Sequence, residues 1–140
     1  MTAPGDPEAV ARRMYQVLWN DRRYGQAEEL FDPAFRHPAF PGLEGAAAKA
    51  AAVRAYHEAF PDLVLTVDEL VAGSGGVAAR FTVTGTDTGG LRGGPPTGRT
   101  IRAWGVDFLR IRDGRITEGW VGADWLGILT QLGRVADPWG

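Results

Sequence analysis

Apolar residues recur at helical spacing as far as Phe60 and alternate from Leu63 onward, with Pro61 at the change. This switch of period constrains the fold more than any motif in the chain. Helices come first, a run of strands joined by glycine-rich loops follows, and a closing helix ends the order. Consecutive strands linked so directly pair antiparallel, because parallel neighbours need long crossovers. The expected architecture is therefore an α+β domain, with helices packed on one face of a curved antiparallel sheet. At 140 residues the chain is one domain, 1–140, and can bury roughly two thirds of its unfolded surface.

The first helix should begin at Asp6-Pro7, where Asp can cap free N–H groups and Pro suits the first turn. Val10, Met14, Val17 and Leu18 form its stripe, and Asn20-Asp21 ends it. A short helix is expected from Gln26 to Phe31, stopped by Asp32-Pro33. FRHPAFPGLEG reads as an ordered loop or edge strand, since Pro and Gly exclude a helix. AAAKAAAVRAYHEAF is strongly helical and groups Val53, Tyr56 and Phe60 on one face, with His57 beside them and partly exposed. LVLTVDELVA and VAARFTVTGT form a hairpin through Gly-Ser-Gly-Gly, and Arg80, Thr82 and Thr84 mark its solvated face. The loop from Asp87 to Arg99 is long enough to suggest a mobile flap. A last helix should run from about Asp124 to Gly133, with Trp125, Ile128, Leu129 and Leu132 buried.

The stretch GVDFLRIRDGRITEGWVGADW folds back through Asp113-Gly114 and carries Asp107 mid-strand. A two-residue turn would set Asp107 opposite Trp120; a three-residue loop, Arg112 to Gly114, would set it opposite Gly119 and diagonal to Val121. The second register sorts the side chains better. One face becomes Ala103, Gly105, Asp107, Leu109, Thr117, Gly119, Val121 and Ala123, whose small members leave room for a ligand. The other holds Arg102, Trp104, Val106, Phe108, Ile116, Glu118 and Trp120, which suits an oligomer interface. A carboxyl group enclosed on the first face would be desolvated, and its pKa would rise toward the range of useful proton transfer. The alternative is an Asp on a solvated face or tied to Arg or a backbone N–H.

Composition removes other chemistries. Without cysteine there is no disulfide, thiolate metal site or Cys nucleophile. Fifteen basic and seventeen acidic residues with no basic cluster argue against nucleic acid. No run approaches the roughly 18 apolar residues of a membrane span, and MTAPGDPEAV lacks a signal peptide's pattern. A cytoplasmic protein without membrane attachment is expected. Two histidines with no repeated spacing offer no metal-ligand pattern. A single Lys49 stands beside fourteen arginines.

AFPDL at 59–63, TGTDTGG and GGPPTGR within 84–99, VDFLRIRDGRITEGW at 106–120 and ADWLGILTQLG at 123–133 together resemble the SnoaL-like polyketide cyclases of the nuclear-transport-factor-like α+β cone superfamily. The resemblance covers nearly the whole chain in order. It implies a cone with three to four helices on the concave face of the sheet around a hydrophobic cavity, assembled as a homodimer or homotetramer. It also implies aldol ring closure on aromatic polyketides with no cofactor and no metal; relatives hydroxylate polyketides, and more distant ones open epoxides. In the aldol cyclases the catalytic Asp matches Val121 and a His matches Asp107, so this chain departs from the family pattern at both places. The same Asp position is essential in the epoxide hydrolases of this fold.

Asp107 and His37 are the candidate catalytic pair. His37 matches a pocket residue at the cavity mouth; a loop histidine bonded to backbone is the other reading. Tyr56, Phe60, Leu109, Gly119, Val121 and Asp124 are candidate substrate contacts, although the simplest task of Asp124 is to cap the last helix. The expected function is acid/base-assisted, aldol-type cyclisation of an apolar carbonyl-bearing substrate, such as an aromatic polyketide, in secondary metabolism. Hydroxylation of a similar ligand, or binding of a hydrophobic ligand without turnover, are the alternatives.

Overall fold

A computed structural model describes residues 5–139. Helix α1 (Pro7–Met14) starts with Pro in its first turn, and the Asp6 carbonyl, rather than its side chain, accepts the Val10 N–H. The helix continues as a π-helical stretch, Tyr15–Asn20, in which the Asp21 N–H reaches back to Gln16. The wider turn brings both Tyr15 and Leu18 into the interior. Asn20 then pins the end of this stretch to the sheet: its amide donates to the Leu65 carbonyl at 2.8 Å and accepts the Leu65 N–H at 2.9 Å.

Helix α2 is a single turn (Ala27–Leu30), and the chain becomes extended at once as β1 (Phe31–Arg36). The helix thus stops one residue short of the expected Phe31. Pro33 is tolerated because β1 lies at the sheet edge. Helix α3 (Gly45–Ala59) ends before Pro61, as its sequence requires. Strands β2 (Val64–Gly73), β3 (Gly76–Thr86), β4 (Thr100–Arg112) and β5 (Arg115–Ala123) form the meander, and α4 (Trp125–Gln131) closes the chain.

The sheet order is β1-β5-β4-β3-β2. Four strands are antiparallel as expected; β1 adds to β5 in parallel, so the sheet is mixed. The chain between β1 and β5 runs through α3 and strands β2, β3 and β4, which supplies the long return that a parallel neighbour needs. Helices and sheet enclose two apolar clusters. One gathers Met14, Tyr15, Leu18, Phe31, Phe35, Val77, Leu109, Ile111 and Ile116, the other Phe60, Leu63, Ile101, Ala103, Ile128 and Leu132; Trp19 and Val83 touch both. No helix among the described residues is long and apolar enough to cross a membrane.

The β4–β5 turn differs from the expected loop. Arg112 faces Arg115, and Asp113 and Gly114 have φ of 52° and 78°, the signature of a two-residue turn. Ile111 pairs with Ile116 and both are buried, whereas Arg110 already faces Glu118, so Thr117 is the extra residue of a bulge. The bulge shifts the register beyond it and sets Asp107 opposite Val121 and Leu109 opposite Gly119. Face sorting beyond the bulge is as expected, but Ile116 belongs to the core rather than to the outer face. The driving contact is the Ile111–Ile116 pair, which a uniform three-residue loop would separate.

The loop from Asp87 to Arg99 is an anchored rim rather than a free flap. The carboxylate of Asp87 is fully enclosed and accepts the N–H of Gly90, the N–H of Thr97 and the Thr97 hydroxyl. Backbone bonds from Asp87 N–H to Arg99 and from Gly98 N–H to Asp87 tie its two ends together. On the outer sheet face Trp104, Val106, Phe108 and Trp120 remain exposed.

Candidate active site

Between α3, the π-helical stretch, α4 and the concave sheet face lies a cavity of about 630 Å³. Its walls are apolar: Val53, Tyr56 and Phe60 from α3, Phe81, Val83, Ala103 and Val121 from the sheet, and Ile128 and Leu129 from α4. Trp125 stacks on Tyr56, with ring centroids 6.0 Å apart, and stays half-open to solvent instead of being buried in the α4 stripe. Leu91 and Arg92 of the anchored loop and Arg134 after α4 also line the cavity.

His37, Lys49 and Asp107 are among the polar side chains that line this space. Asp107 stands on β4 with Val121 directly across the ladder. The Tyr15 hydroxyl donates to Asp107 Oδ2 at 2.7 Å, and Tyr15 is almost wholly buried. Burial raises the Asp107 pKa above the ordinary carboxylate value, although the Lys49 charge and the Tyr15 hydrogen bond pull in the opposite direction. Burial, then the negative charge of Asp107 and the hydrogen bond to it, push the Tyr15 phenol far upward, so it stays a donor.

His37 follows β1 and is 4% exposed, with its Nδ1 buried and without a hydrogen-bond partner. Its ring meets Phe40 edge-on at 4.7 Å. Burial first, and Lys49 second, lower its pKa, which favours the neutral imidazole. A backbone hydrogen bond at His37 itself opposes this lowering. Lys49 is lowered by burial and held up by Asp107, so its charge is felt by both other groups.

Of the sequence candidates, Asp107, His37, Tyr56, Phe60 and Val121 line one cavity. Leu109 and Gly119 do not. Leu109 belongs to the core, and a Cβ built on Gly119 would sit 3.5 Å from Leu109 and Phe35, which shows that this small residue makes space for core packing rather than for ligand. Asp124 is not on the cavity wall either; it caps α4 by accepting the Gly127 N–H at 2.9 Å. His57 is buried rather than partly exposed, held between the Tyr24 hydroxyl at Nδ1 and the Trp19 carbonyl at Nε2. Arg80 is exposed and faces Asp68 and Glu69, as a solvated strand face should be.

Tyr15 and Lys49 are the site groups that sequence reasoning passed over. Lys49 had a signal: it is the sole lysine, set in an alanine-rich helix face. Tyr15 had none, because a regular helix phased on Met14 and Leu18 does not require its neighbour to point inward as the π turn does.

A family model described as SnoaL-like polyketide cyclase matches residues 9–132. Aklanonic acid methyl ester cyclase DnrD of Streptomyces peucetius is 35% identical over 136 residues, spanning 93% of this chain and 90% of that protein. Among solved structures, TsrD of Streptomyces laurentii is 29% identical with a TM-score of 0.83, covering 91% of this chain and 95% of its own. AclR of Streptomyces galilaeus, a candidate hydroxylase, is also 29% identical, with a TM-score of 0.80 over 94% of this chain and 83% of its own. The family match runs from α1 to the last turn of α4 and so takes in every element that walls the cavity: the chain belongs to the SnoaL-like polyketide cyclase family.

Proposed function

We propose that the chain catalyses acid/base-assisted, aldol-type ring closure of an apolar, carbonyl-bearing polyketide substrate, with Asp107 as the proton-transferring group. The observation that carries this reading is the Asp107 carboxyl group, held by the Tyr15 hydroxyl at 2.7 Å in a largely apolar cavity. Its raised pKa brings it nearer the range in which one group can both take and return a proton. Asp107 removes a proton from the carbon beside a carbonyl, the resulting enolate carbon attacks a second carbonyl, and the new alkoxide receives a proton in return. Neutral His37 in the same cavity assists that transfer. Tyr56 and Phe60 offer aromatic faces to the substrate. The cavity volume suits a ligand of polycyclic size, and holding the chain folded supplies much of the rate, up to roughly 7–11 kcal/mol in favourable cases.

The substrate named for DnrD, aklanonic acid methyl ester, is the first to try. Asp107→Asn should bind it as the unaltered protein does, while turnover collapses. Unchanged turnover would sink the assignment.

A second reading is hydroxylation of a similar ligand. Val121, which cannot transfer a proton, faces Asp107 where the cyclases are expected to carry their acid, and AclR bears a hydroxylase description. Product formed under isotope-labelled dioxygen separates the two: label in the product selects hydroxylation. For assembly, the exposed Trp104, Val106, Phe108 and Trp120 favour a homodimer through the outer sheet face; a monomer in sedimentation at working concentration would refute it.

A further inference from the structure

Charge around the cavity is one-sided: Lys49, Arg92 and Arg134 stand against Asp107, the sole acid among the described residues that line it. The two arginines are exposed at the mouth, and among the described residues neither has an ion-pair partner within 4.0 Å. Asp87 in the same loop is fully enclosed and gives its oxygens to Gly90 and Thr97 instead. Arg92 sits in the turn Leu91–Gly93 at φ 53° and ψ 42°, a left-handed conformation that glycine adopts at less cost. Arg134 follows α4 and reaches back over that loop. Its Nη2 donates to the Pro95 carbonyl at 3.2 Å, and a Cβ on Gly94 would meet the guanidinium at 2.6 Å. Gly94 has φ of -75°, so the close approach requires its small size and not its backbone freedom. Both arginines thus belong to one rim. Gln131 in α4 accepts the Arg102 N–H and donates to its carbonyl, and Arg102 stands five residues along β4 from Asp107, about 17 Å at a strand's rise. Leu91 packs with Ile101, Ile128 and Leu132, whereas Tyr15, bonded to Asp107, belongs to the other apolar cluster. The rim therefore faces the end of the cavity remote from Asp107.

We propose that Arg92 and Arg134 form a carboxylate-binding subsite at the cavity rim, so that the substrate is a polyketide bearing a free carboxylate rather than its ester. This rests on reading the cavity as the site of a polyketide substrate, and it narrows the class of that substrate. A carboxylate is planar and can take two parallel N–H bonds from one guanidinium, whereas an ester brings no charge to match. Arg134 has the donors to spare: a guanidinium carries five N–H groups, and the Pro95 carbonyl takes one. At the rim the substrate anion is also kept away from the like charge that Asp107 acquires as a base. The subsite fixes the direction of the ligand, with its charged end at the mouth and its reacting carbons among the apolar residues around Asp107. Arg92 and Arg134 set specificity and take no part in the proton transfers.

The test titrates the full-length chain at pH 7 with anthraquinone-2-carboxylate and with its methyl ester, polycyclic probes that differ in this one charge, and follows tryptophan quenching. The carboxylate should bind roughly tenfold or more tightly than the ester, as hydrogen bonds to a charged group imply. Arg92→Gln and Arg134→Gln should each remove much of that preference, and the double variant all of it. Arg92→Lys keeps the charge but loses the planar fork, and should keep part of the preference. The ester is the control for a rim that has only loosened, since loosening weakens both probes alike. Equal affinity for the two probes in the unaltered chain, or no saturable binding of the carboxylate, overturns the proposal. So does a double variant that weakens both probes by one factor and leaves the preference intact. The two readings fail separately, because these titrations need no turnover. Equal affinities beside an inactive Asp107→Asn leave the Asp107 base standing without the subsite, and a strong carboxylate preference beside a fully active Asp107→Asn does the reverse.

Discussion

Replacing Asp87 with Ala removes an enclosed carboxylate that accepts the Gly90 N–H at 3.0 Å, the Thr97 N–H at 3.1 Å and the Thr97 hydroxyl at 2.9 Å. Hydrogen bonds to a charged group are worth about 1.5–3 kcal/mol each. Adding three of them overcounts, because one carboxylate bears a single desolvation cost and half-buried Thr97 can turn to water. Gly90 is buried, and its N–H left without an acceptor costs about 1–3 kcal/mol. A net loss of about 3–5 kcal/mol is expected, a large part of the roughly 5–15 kcal/mol that holds a domain together. Urea unfolding followed by tryptophan fluorescence should show a lower midpoint at an unchanged slope, since the lesion is in the native loop. Asp87→Asn should fall between, keeping an acceptor for Gly90 while turning amide hydrogens toward the Thr97 N–H. The loss extends to function, because Leu91 and Arg92 lie between the two anchored segments and line the cavity. A loss below about 0.5 kcal/mol for Asp87→Ala would refute the view of this loop as held by one buried carboxylate.

The raised pKa of Asp107 has a stability consequence of definite sign. The folded chain keeps a proton that the unfolded chain has released, so stability should fall as pH rises from the ordinary carboxylate value through the raised one, and then level off. Asp107→Asn cannot ionise and should lack that fall; an equal pH profile of urea stability in both proteins would contradict it. Tyr15→Phe deletes a hydrogen bond that favours the ionised carboxylate, and should move the Asp107 titration, followed by carboxyl-carbon NMR, to higher pH; a downward move would be the wrong sign. Gly105→Ala would place a Cβ into the Phe81 ring on the cavity wall, costing about 1–3 kcal/mol and displacing the ring. Weaker binding of a hydrophobic fluorescent dye, together with lower urea stability, checks this; wild-type behaviour in both would show that the ring moves freely.

The limits of α3, the β2–β3 hairpin and the long strands of the second half were legible in the sequence, because they follow from local causes. Pro61 ends one helix, glycine supplies the turns, and alternation reports a sheet with one buried face. The parallel addition of β1 was not legible, since Phe31–Arg36 is short and contains Pro33, and only a vacant edge of β5 makes it a strand. The face of Asp107 was legible, but its partner was not. The Asp-Gly turn asks for one register, the small residues at 119, 121 and 123 ask for another, and the bulge at Thr117 reconciles them while burying Ile116 against Ile111. Leu109 and Gly119 share the Asp107 face, yet Phe35 covers that part of the sheet, so one face serves as core at one end and cavity at the other.

The sequence by itself therefore determined an α+β domain with a carboxyl group among small residues on one sheet face, because periodicity and turn chemistry act over a few residues. Tertiary structure decided what surrounds that carboxyl group. Tyr15, His37 and Lys49 come from three distant segments and meet Asp107 in one region through the π turn, the edge strand β1 and the seating of α3 on the sheet. Such convergence depends on how whole elements pack, and no local pattern in the chain encodes it.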